Sequence, residues 1–389
     1  MRILVATDQW FPDHMGGVAR IATETARGLA ARGHETVVVA PREGVETGEP
    51  ADGLTVVRAL PRGRLPQTLM DPVATRRSAS RLDAASFDVL LAHGATSASG
   101  LRAGRFGRPL VYVFHAAAAD EARFLRASLR PGADWLAALA FERPLRRMTE
   151  RALRDAATVI VLSEFSRDVL RNTSASAADR AVRLTGGVDT GVFTPTGRDG
   201  ARERLRVPAS TRLVFTVRRL EPRMGVENLL QSARMLDDVD ELRIVVAGAG
   251  RRERDVEVLR EGLPRGTSVQ LIGRVSDDEL PLWYRAADLF VLPSVAYEGF
   301  GLVTVEALAS GTPVVGTRVG ATPELLEPLE PRLLSEGTDP TALADAIRAG
   351  LRLATPAFRE RCREYALARF SWDAVLPEWE RVLASVGKS

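Results

Sequence analysis

Glu298 and Glu306 stand with seven residues between them, on either side of a Gly299-Phe300-Gly301 turn, in the run Pro293-Ser294-Val295-Ala296-Tyr297-Glu298-Gly299-Phe300-Gly301-Leu302-Val303-Thr304-Val305-Glu306. The two glycines let backbone come close to a ligand. A helix opening at this turn leaves the N–H groups around Leu302, Val303 and Thr304 without partners inside the helix. Together with the helix dipole they form an anion site suited to phosphate. Carboxylates accept hydrogen bonds from hydroxyls, so an acid on each side suits hydroxyl-rich groups flanking that phosphate. A sugar, a diphosphate and a ribose in a row satisfy the arrangement. Gly311 then stops the helix, and Thr312-Pro313-Val314-Val315 begins a strand.

A second constellation, Arg218-Arg219-Leu220-Glu221-Pro222-Arg223-Met224-Gly225, follows an apolar run and precedes a helix at Val226. Arginines at such a turn can fork onto a diphosphate and neutralise leaving-group charge; a basic surface turn has the same composition. Ala247-Gly248-Ala249-Gly250 and Gly273-Arg274-Val275 each end a strand-like run, although glycine turns after strands are common. Gly320-Ala321-Thr322-Pro323-Glu324 reads as a binding loop or as a turn with a helix cap. Nearer the N-terminus, Gly16-Gly17-Val18 leads into a helix whose free N–H groups suit a donor phosphate or an acceptor group. His115 closes the apolar run Leu110–Phe114, and His93 follows Leu90-Leu91-Ala92 in the same way. A partly buried, hydrogen-bonded histidine is the alternative reading there, and His93 has the weaker support of the two. Ser163 and Ser276-Asp277-Asp278 read as helix caps. The chain shows no convincing Asp-x-Asp metal motif and no His/Cys cluster, so neither a metal nor a separate cofactor is expected. It shows no Ser-His-Asp pattern, and no carboxylate is nominated as a covalent nucleophile.

Short Val/Ile/Leu runs alternating with helical stretches position these residues. Ile3–Thr7, Thr36–Ala40, Asp88–Ala92, Leu110–Phe114, Thr158–Leu162 and Val182–Leu184 form one strand series. Leu213–Val217, Leu242–Ala247, Ser268–Ile272, Leu289–Leu292 and Thr312–Gly316 form another. Such runs imply parallel sheets covered on both faces. Two series imply two doubly wound Rossmann-like α/β domains, over residues 1–188 and 189–370, with the joint near Gly186–Pro195. Ligands in such sheets bind at strand carboxyl ends, which puts the expected active site in a cleft between facing domains. Pro41–Pro72 is rich in Gly, Pro and Arg and is expected to be mostly loop, with one strand-like piece at Leu54–Leu60. Trp372, Val375, Leu376, Trp379, Val382 and Leu383 carry helical spacing over the C-terminal segment 371–389.

Composition narrows the functional classes. The chain has 389 residues, 45% apolar and 26% charged, enough for two full cores. No apolar run approaches the ~20 residues that span a bilayer. The opening Met1-Arg2-Ile3-Leu4-Val5-Ala6 reads as a strand rather than a signal peptide. The single Cys362 excludes an internal disulfide, so a cytoplasmic location is expected. A net charge of +3 gives no argument for nucleic acid as a partner. Arg143, Arg146, Arg147, Arg151 and Arg154 lie near Trp135, Leu136, Leu139 and Phe141. This Arg-rich 123–154 region reads as a solvated helix or as a peripheral contact with anionic lipid.

The Glu298–Glu306 string resembles the donor-binding signature of glycosyltransferase family 4, retaining enzymes of the GT-B fold, and the resemblance extends over nearly the whole chain. It implies transfer of a sugar from a nucleoside-diphosphate sugar to an acceptor hydroxyl, with retention of configuration by a front-face route. Surface polysaccharide, glycolipid or natural-product glycoside assembly is the implied setting. By that resemblance Glu306 binds the nucleotide ribose and Glu298 the donor-sugar hydroxyls. Arg219, with Arg218 or Arg223, stabilises the departing diphosphate, and His115 places the sugar. Gly16, Gly17, Gly248 and Val275 join Gly299, Phe300, Gly301, Leu302 and Val303 in holding the donor. The C-terminal helix crosses back to the first domain. The family's loop usually reads Gly-Arg-…-Lys-Gly. Here, aligned on Arg-Leu, Arg219 matches its arginine, whereas alternative spacing within the family selects Arg218; Met224 stands at its lysine, and Ala321 replaces a second glycine. These departures keep alternatives open: a noncatalytic nucleotide-sugar binding protein, or a GT-B pseudo-glycosyltransferase or epimerase.

Overall fold

The computed structural model describes residues 1–12, 14, 16–41, 53–59, 67–103, 106–115, 132–264 and 268–387. The chain forms two compact units, Met1–Gly187 with Val375–Ser389, and Val188–Ala374.

The first unit is built on β1 (Arg2–Thr7), β2 (Glu35–Pro41), β3 (Leu54–Ala59), β4 (Val89–His93), β5 (Leu110–Phe114), β6 (Thr158–Val161) and β7 (Ala181–Arg183), in the order β3-β2-β1-β4-β5-β6-β7. Every pairing is parallel. All five residues of β4 and of β5 are buried, which explains their unbroken apolar runs. The order reverses between β1 and β4, and there Thr7 lies beside His93 in register. The switch point of a doubly wound sheet is where ligands bind.

The helix Gly17–Ala31 buries Ala19, Ile21, Ala22, Ala26, Leu29 and Ala30. Gly28 on this helix leaves room for Leu376 of the helix Trp372–Gly387, because a Cβ there would stand 2.4 Å from the leucine Cδ1. The same C-terminal helix places fully buried Trp379 with its indole N–H donating to the Thr185 carbonyl at 3.2 Å.

The stretch expected to be mostly loop is partly regular. Leu54–Ala59 pairs along β2 as β3, and a helix runs Gln67–Ala79 with Pro72 inside it. A proline removes a helical hydrogen bond, so local propensity argues against this helix. Packing overrides it: Ala74, Thr75, Ser78 and Ala79 are buried. Gly100 of the neighbouring helix Ala95–Ala103 lets the two backbones close, since a Cβ there would lie 2.6 Å from Thr75 Cβ and 2.9 Å from the Pro72 oxygen. Residues 42–52 and 60–66 lie outside the described residues.

The second unit carries β8 (Arg212–Val217), β9 (Leu242–Ala247), β10 (Ser268–Gly273), β11 (Leu289–Leu292), β12 (Val314–Thr317) and β13 (Leu334–Ser335), in the order β10-β9-β8-β11-β12-β13. These pairings are also parallel. The two-residue β13 extends the edge beyond the expected series. The core is aromatic around Phe215, whose ring meets Trp283, Tyr284 and Phe290 at centroid distances of 5.6 to 6.0 Å. The switch point falls between β8 and β11. The loops leaving those two strands are the Arg218–Gly225 turn and the Pro293–Gly301 turn, so the topology alone brings the two constellations together.

Candidate functional site

The helix Leu302–Ala309 opens on Gly301, whose φ of +85° is left-handed and favours glycine. No side chain caps this helix, and its first turn holds no acidic residue. Thr304 donates its backbone N–H to the Gly301 oxygen, but its hydroxyl is buried with no hydrogen-bond partner among the described residues. Thr317 Oγ1 fixes the strand exit by donating to the Ser294 carbonyl at 2.5 Å. A helix start with free N–H groups and an unpartnered hydroxyl favours an anionic ligand.

The two carboxylates flank this start. Glu306 is only 3% exposed and accepts a hydrogen bond from the Tyr284 hydroxyl at 2.8 Å. Glu298 has a side chain 13% exposed and pairs with Arg218, whose own side chain is 7% exposed, at 2.7 Å. The Ser294 hydroxyl donates to the same Glu298 oxygen at 2.9 Å. The Arg218 Nη2 also reaches Ser294 Oγ at 2.7 Å and lies 2.9 Å from Met224 Sδ.

Backbone contacts hold Glu298 from behind. Its carbonyl accepts from the Ala321 N–H at 2.8 Å. Gly320, at φ +60°, lies so close that a Cβ there would stand 2.2 Å from the Glu298 oxygen. Tyr297, the residue before Glu298, has φ +56°, an unfavourable backbone for a bulky side chain. Arg223 donates to the Tyr297 carbonyl at 2.9 Å and its own carbonyl accepts from Val295 N–H at 3.0 Å, so the two loops pin this turn together. Strain of this kind gathers where a side chain must be aimed.

The expected residues therefore separate. Arg218, Met224, Ser294 and Glu298 form one contact cluster, with Arg223 beside it on the backbone of the turn. Gly299, Phe300, Gly301, Leu302 and Val303 run from that cluster into the helix that carries Glu306, with Phe300 and Gly301 buried and the others half-buried. Gly248 packs against the Arg218 backbone and donates its N–H to the Gly273 carbonyl at 2.6 Å. Val275 follows that glycine and is half-buried. Arg219 is exposed, with its neighbours Arg218 and Leu220 turned inward. Ser294 and Tyr284 carry no role in the sequence reading. Ser294 lies inside the quoted string, where nothing distinguishes it from a cap, and Tyr284 belongs to a preceding helix with core spacing.

His115, Gly16 and Gly17 belong to the first unit. The helix behind Gly16 and Gly17 also opens without a side-chain cap or an acidic first turn. His93 and His115 stand at 3.0 Å, Nδ1 to Nε2, with rings 27° apart. His93 is fully buried, lies parallel to the Trp379 ring, and leaves Nε2 without a partner among the described residues. Burial pushes the His115 imidazole down to about 4. Burial first, and then the neighbouring His115, pushes His93 well below its ordinary value. Ser163 caps the helix Glu164–Thr173 by accepting from Ser166 N–H. Within the Arg-rich region, residues 123–131 lie outside the described residues. On the helix Ala133–Asp155, Leu136 is 60% and Leu139 43% exposed beside exposed Arg143, Arg146 and Arg147. Among the described residues no helix is long and apolar enough to cross a membrane, and no three His, Cys, Asp or Glu side chains gather as a metal site.

Two family models divide the chain between them: "Glycosyltransferase Family 4" over residues 15–192 and "Glycosyl transferases group 1" over residues 198–369. A D-inositol 3-phosphate glycosyltransferase of Mycolicibacterium smegmatis is 33% identical over 72% of this chain and 63% of its own length. The match thus spans less than two thirds of that relative. One from Corynebacterium glutamicum is 30% identical over 85% of this chain and 82% of its own length. Among solved structures, the sucrose-phosphate synthase of Thermosynechococcus elongatus superposes with a TM-score of 0.81 at 23% identity, over 99% of this chain and 98% of that one. The Anabaena protein HepE, solved in complex with UDP-glucose, gives 0.74 at 20% identity, over 98% and 99%. At these identities the structural likeness speaks for a GT-B fold.

Proposed function

This chain belongs to glycosyltransferase family 4, and from that premise we propose that it moves a sugar from a nucleoside-diphosphate sugar to an acceptor hydroxyl with retention of configuration. The observation that carries this reading is the uncapped helix start at Gly301, with Glu298 before it and buried Glu306 one turn inside it. The free N–H groups take the diphosphate. Glu306, held by Tyr284, accepts hydrogen bonds from the ribose hydroxyls, and Glu298 accepts them from the donor sugar. Negative charge grows on the diphosphate as the sugar leaves. Guanidinium groups on the Arg218–Arg223 turn, Arg219 among them, and the helix N–H groups meet that charge. His115 places the sugar in its neutral form, the form that burial favours.

The relatives are named for a phosphorylated cyclitol acceptor, and the structural neighbour HepE was solved with UDP-glucose. These names support a hydroxyl-rich acceptor and a uridine donor as the first pair to try. Surface polysaccharide, glycolipid or natural-product glycoside assembly is the broader setting. Peripheral contact with an anionic lipid surface, through Leu136, Leu139 and the neighbouring arginines, belongs to the same reading.

The test is thermal stabilisation of the purified protein by UDP-, GDP-, ADP- and TDP-sugars. A donor at about 100 times its dissociation constant adds about 2.7 kcal/mol. One clear stabiliser is the expected result and fixes the donor for an acceptor screen. Silence across the panel, with no transfer or hydrolysis, would overturn the reading. Binding without turnover across a broad acceptor set would leave a noncatalytic binding protein.

A further inference from the structure

We infer that His93 is a positioning residue for the donor sugar: it engages the Nε2 edge of His115 and leaves Nδ1 as the ring nitrogen that His115 presents to the sugar. The inference rests on the reading above, in which His115 places the sugar. It adds the residue that orients that ring and the atom that makes the contact.

The two histidines leave neighbouring strands. His93 ends β4 and pairs in register with Thr7 of β1 and Val113 of β5, and His115 follows Phe114 at the end of β5. His93 Nδ1 lies 3.0 Å from His115 Nε2. A neutral imidazole has one donor nitrogen and one acceptor, so one proton between two neutral rings makes this contact a hydrogen bond. Burial keeps both rings neutral.

The rings differ in freedom. The ring torsion of a histidine is broad and roughly two-fold, so the backbone at a strand exit does not aim it. His115 is half-buried there. His93 is fully buried between two strands, and its ring lies parallel to that of Trp379, 8° apart with centroids at 6.3 Å. Trp379 is in turn fully buried and donates its indole N–H to the Thr185 carbonyl. The fixed ring therefore sets the angle of the freer one. With Nε2 spent on His93, Nδ1 is the nitrogen of His115 that remains to exchange a hydrogen bond with a sugar hydroxyl. His93 itself keeps Nε2 buried without a partner among the described residues. A buried polar atom left unsatisfied is destabilising, and an apolar ring would fill the same place without that cost. The contact with His115 is what a histidine supplies here and a phenylalanine does not.

The test separates sugar from nucleotide. His93→Phe keeps a flat ring beside Trp379 and removes the hydrogen bond, whereas His93→Asn sets its amide where Nδ1 stands. Wild type and both variants are titrated with UDP-glucose, UDP-N-acetylglucosamine, GDP-mannose and ADP-glucose, and with UDP, GDP and ADP. For the tightest sugar, His93→Phe should weaken binding about tenfold and leave the matching diphosphate unchanged, and His93→Asn should recover most of the loss. A merely structural role would weaken both ligands together. If His93→Phe does not fold, His115→Asn and His115→Gln decide, since their amides stand near the places of Nδ1 and Nε2 respectively. His115→Asn should then retain more of the affinity that the sugar adds. Equal losses for sugar and diphosphate, no loss at all, no recovery in His93→Asn, or a His115→Gln that equals or exceeds His115→Asn overturns the inference and leaves the donor site standing. Binding of the diphosphates alone by the wild type gives His115 no sugar to place and overturns it too. A wild type that binds none of these ligands overturns the donor-site reading, and this inference with it.

Discussion

The Tyr284 hydroxyl donates to the buried Glu306 carboxylate across 2.8 Å, from a helix that ends just before β11. That contact joins the aromatic core of the second unit to the site, since the Tyr284 ring also packs on Phe193, Phe215 and Phe290. Tyr284→Phe keeps the ring and removes the hydrogen bond. A hydrogen bond to a charged group contributes about 1.5–3 kcal/mol to stability, and a Glu306 carboxylate no longer held in place should bind the donor more weakly, by roughly tenfold. The fold should persist, with a melting temperature lowered by several degrees. A donor titration of the variant checks this. Unchanged affinity would separate Glu306 from ribose binding.

Glu298→Ala should act on both stability and turnover. The ion pair with Arg218 is buried at the arginine and largely shielded at the carboxylate, whose side chain is 13% exposed. Removing one partner of such a pair strands the other charge, which costs on the order of 3 kcal/mol. Transfer should fall by about a hundredfold or more, while Glu298→Gln, which retains an oxygen acceptor, should recover part of the stability and little of the rate. Denaturant midpoints and initial rates on the same preparations decide the matter. A variant with lost stability and full turnover would contradict a role for Glu298 at the donor sugar.

The strand–turn–helix around Glu298 was legible in the sequence because its signals are local. Glycines mark the turn, an apolar run marks β11, and seven-residue spacing places Glu306 one turn into the helix. What lay outside such reading depends on tertiary packing. Arg218 and Arg219 are adjacent and chemically identical, and only the pleat at the exit of β8 decides which one is buried. Tyr284 carries the spacing of a core residue, and its hydroxyl acquires a partner only when its helix folds against the helix of Glu306. The helix Gln67–Ala79 contains Pro72, so its existence depends on the room that Gly100 leaves for it. The two-residue β13 is too short for periodicity to register.

Gly320→Ala tests how tightly the loop after β12 supports Glu298. The position has φ +60°, where an alanine is strained, and its Cβ would press on the Glu298 carbonyl and amide at 2.2 and 2.7 Å. The added methyl lies against backbone, which has no rotamer by which to yield. The variant should lose about 1–3 kcal/mol of stability and shift Glu298 enough to weaken donor-sugar binding more than nucleoside-diphosphate binding. Comparing affinities for UDP and UDP-glucose in the wild type and the variant isolates that effect. Equal losses for both ligands would mean that the loop supports the phosphate site instead.

The His93–His115 pair sets an acid limit on the first unit. Both imidazoles are held neutral in the folded chain, with His115 pushed down to about 4 and His93 also well below its ordinary value. Their unfolded counterparts titrate near 6.5. Between those values the unfolded state binds more protons than the folded one, so stability rises with pH through this window and falls as the solution is acidified. His115 alone should account for about 3 kcal/mol between pH 7 and pH 4. His115→Gln removes that group and should flatten the decline without abolishing it, because His93 still contributes. Urea unfolding followed by the fluorescence of Trp379 and the other tryptophans, measured at intervals from pH 7 to pH 4.5, gives the slope for each protein. A wild-type slope no steeper than that of His115→Gln would mean that the His115 imidazole accepts its proton in the folded state, which the 3.0 Å contact with a fully buried His93 argues against.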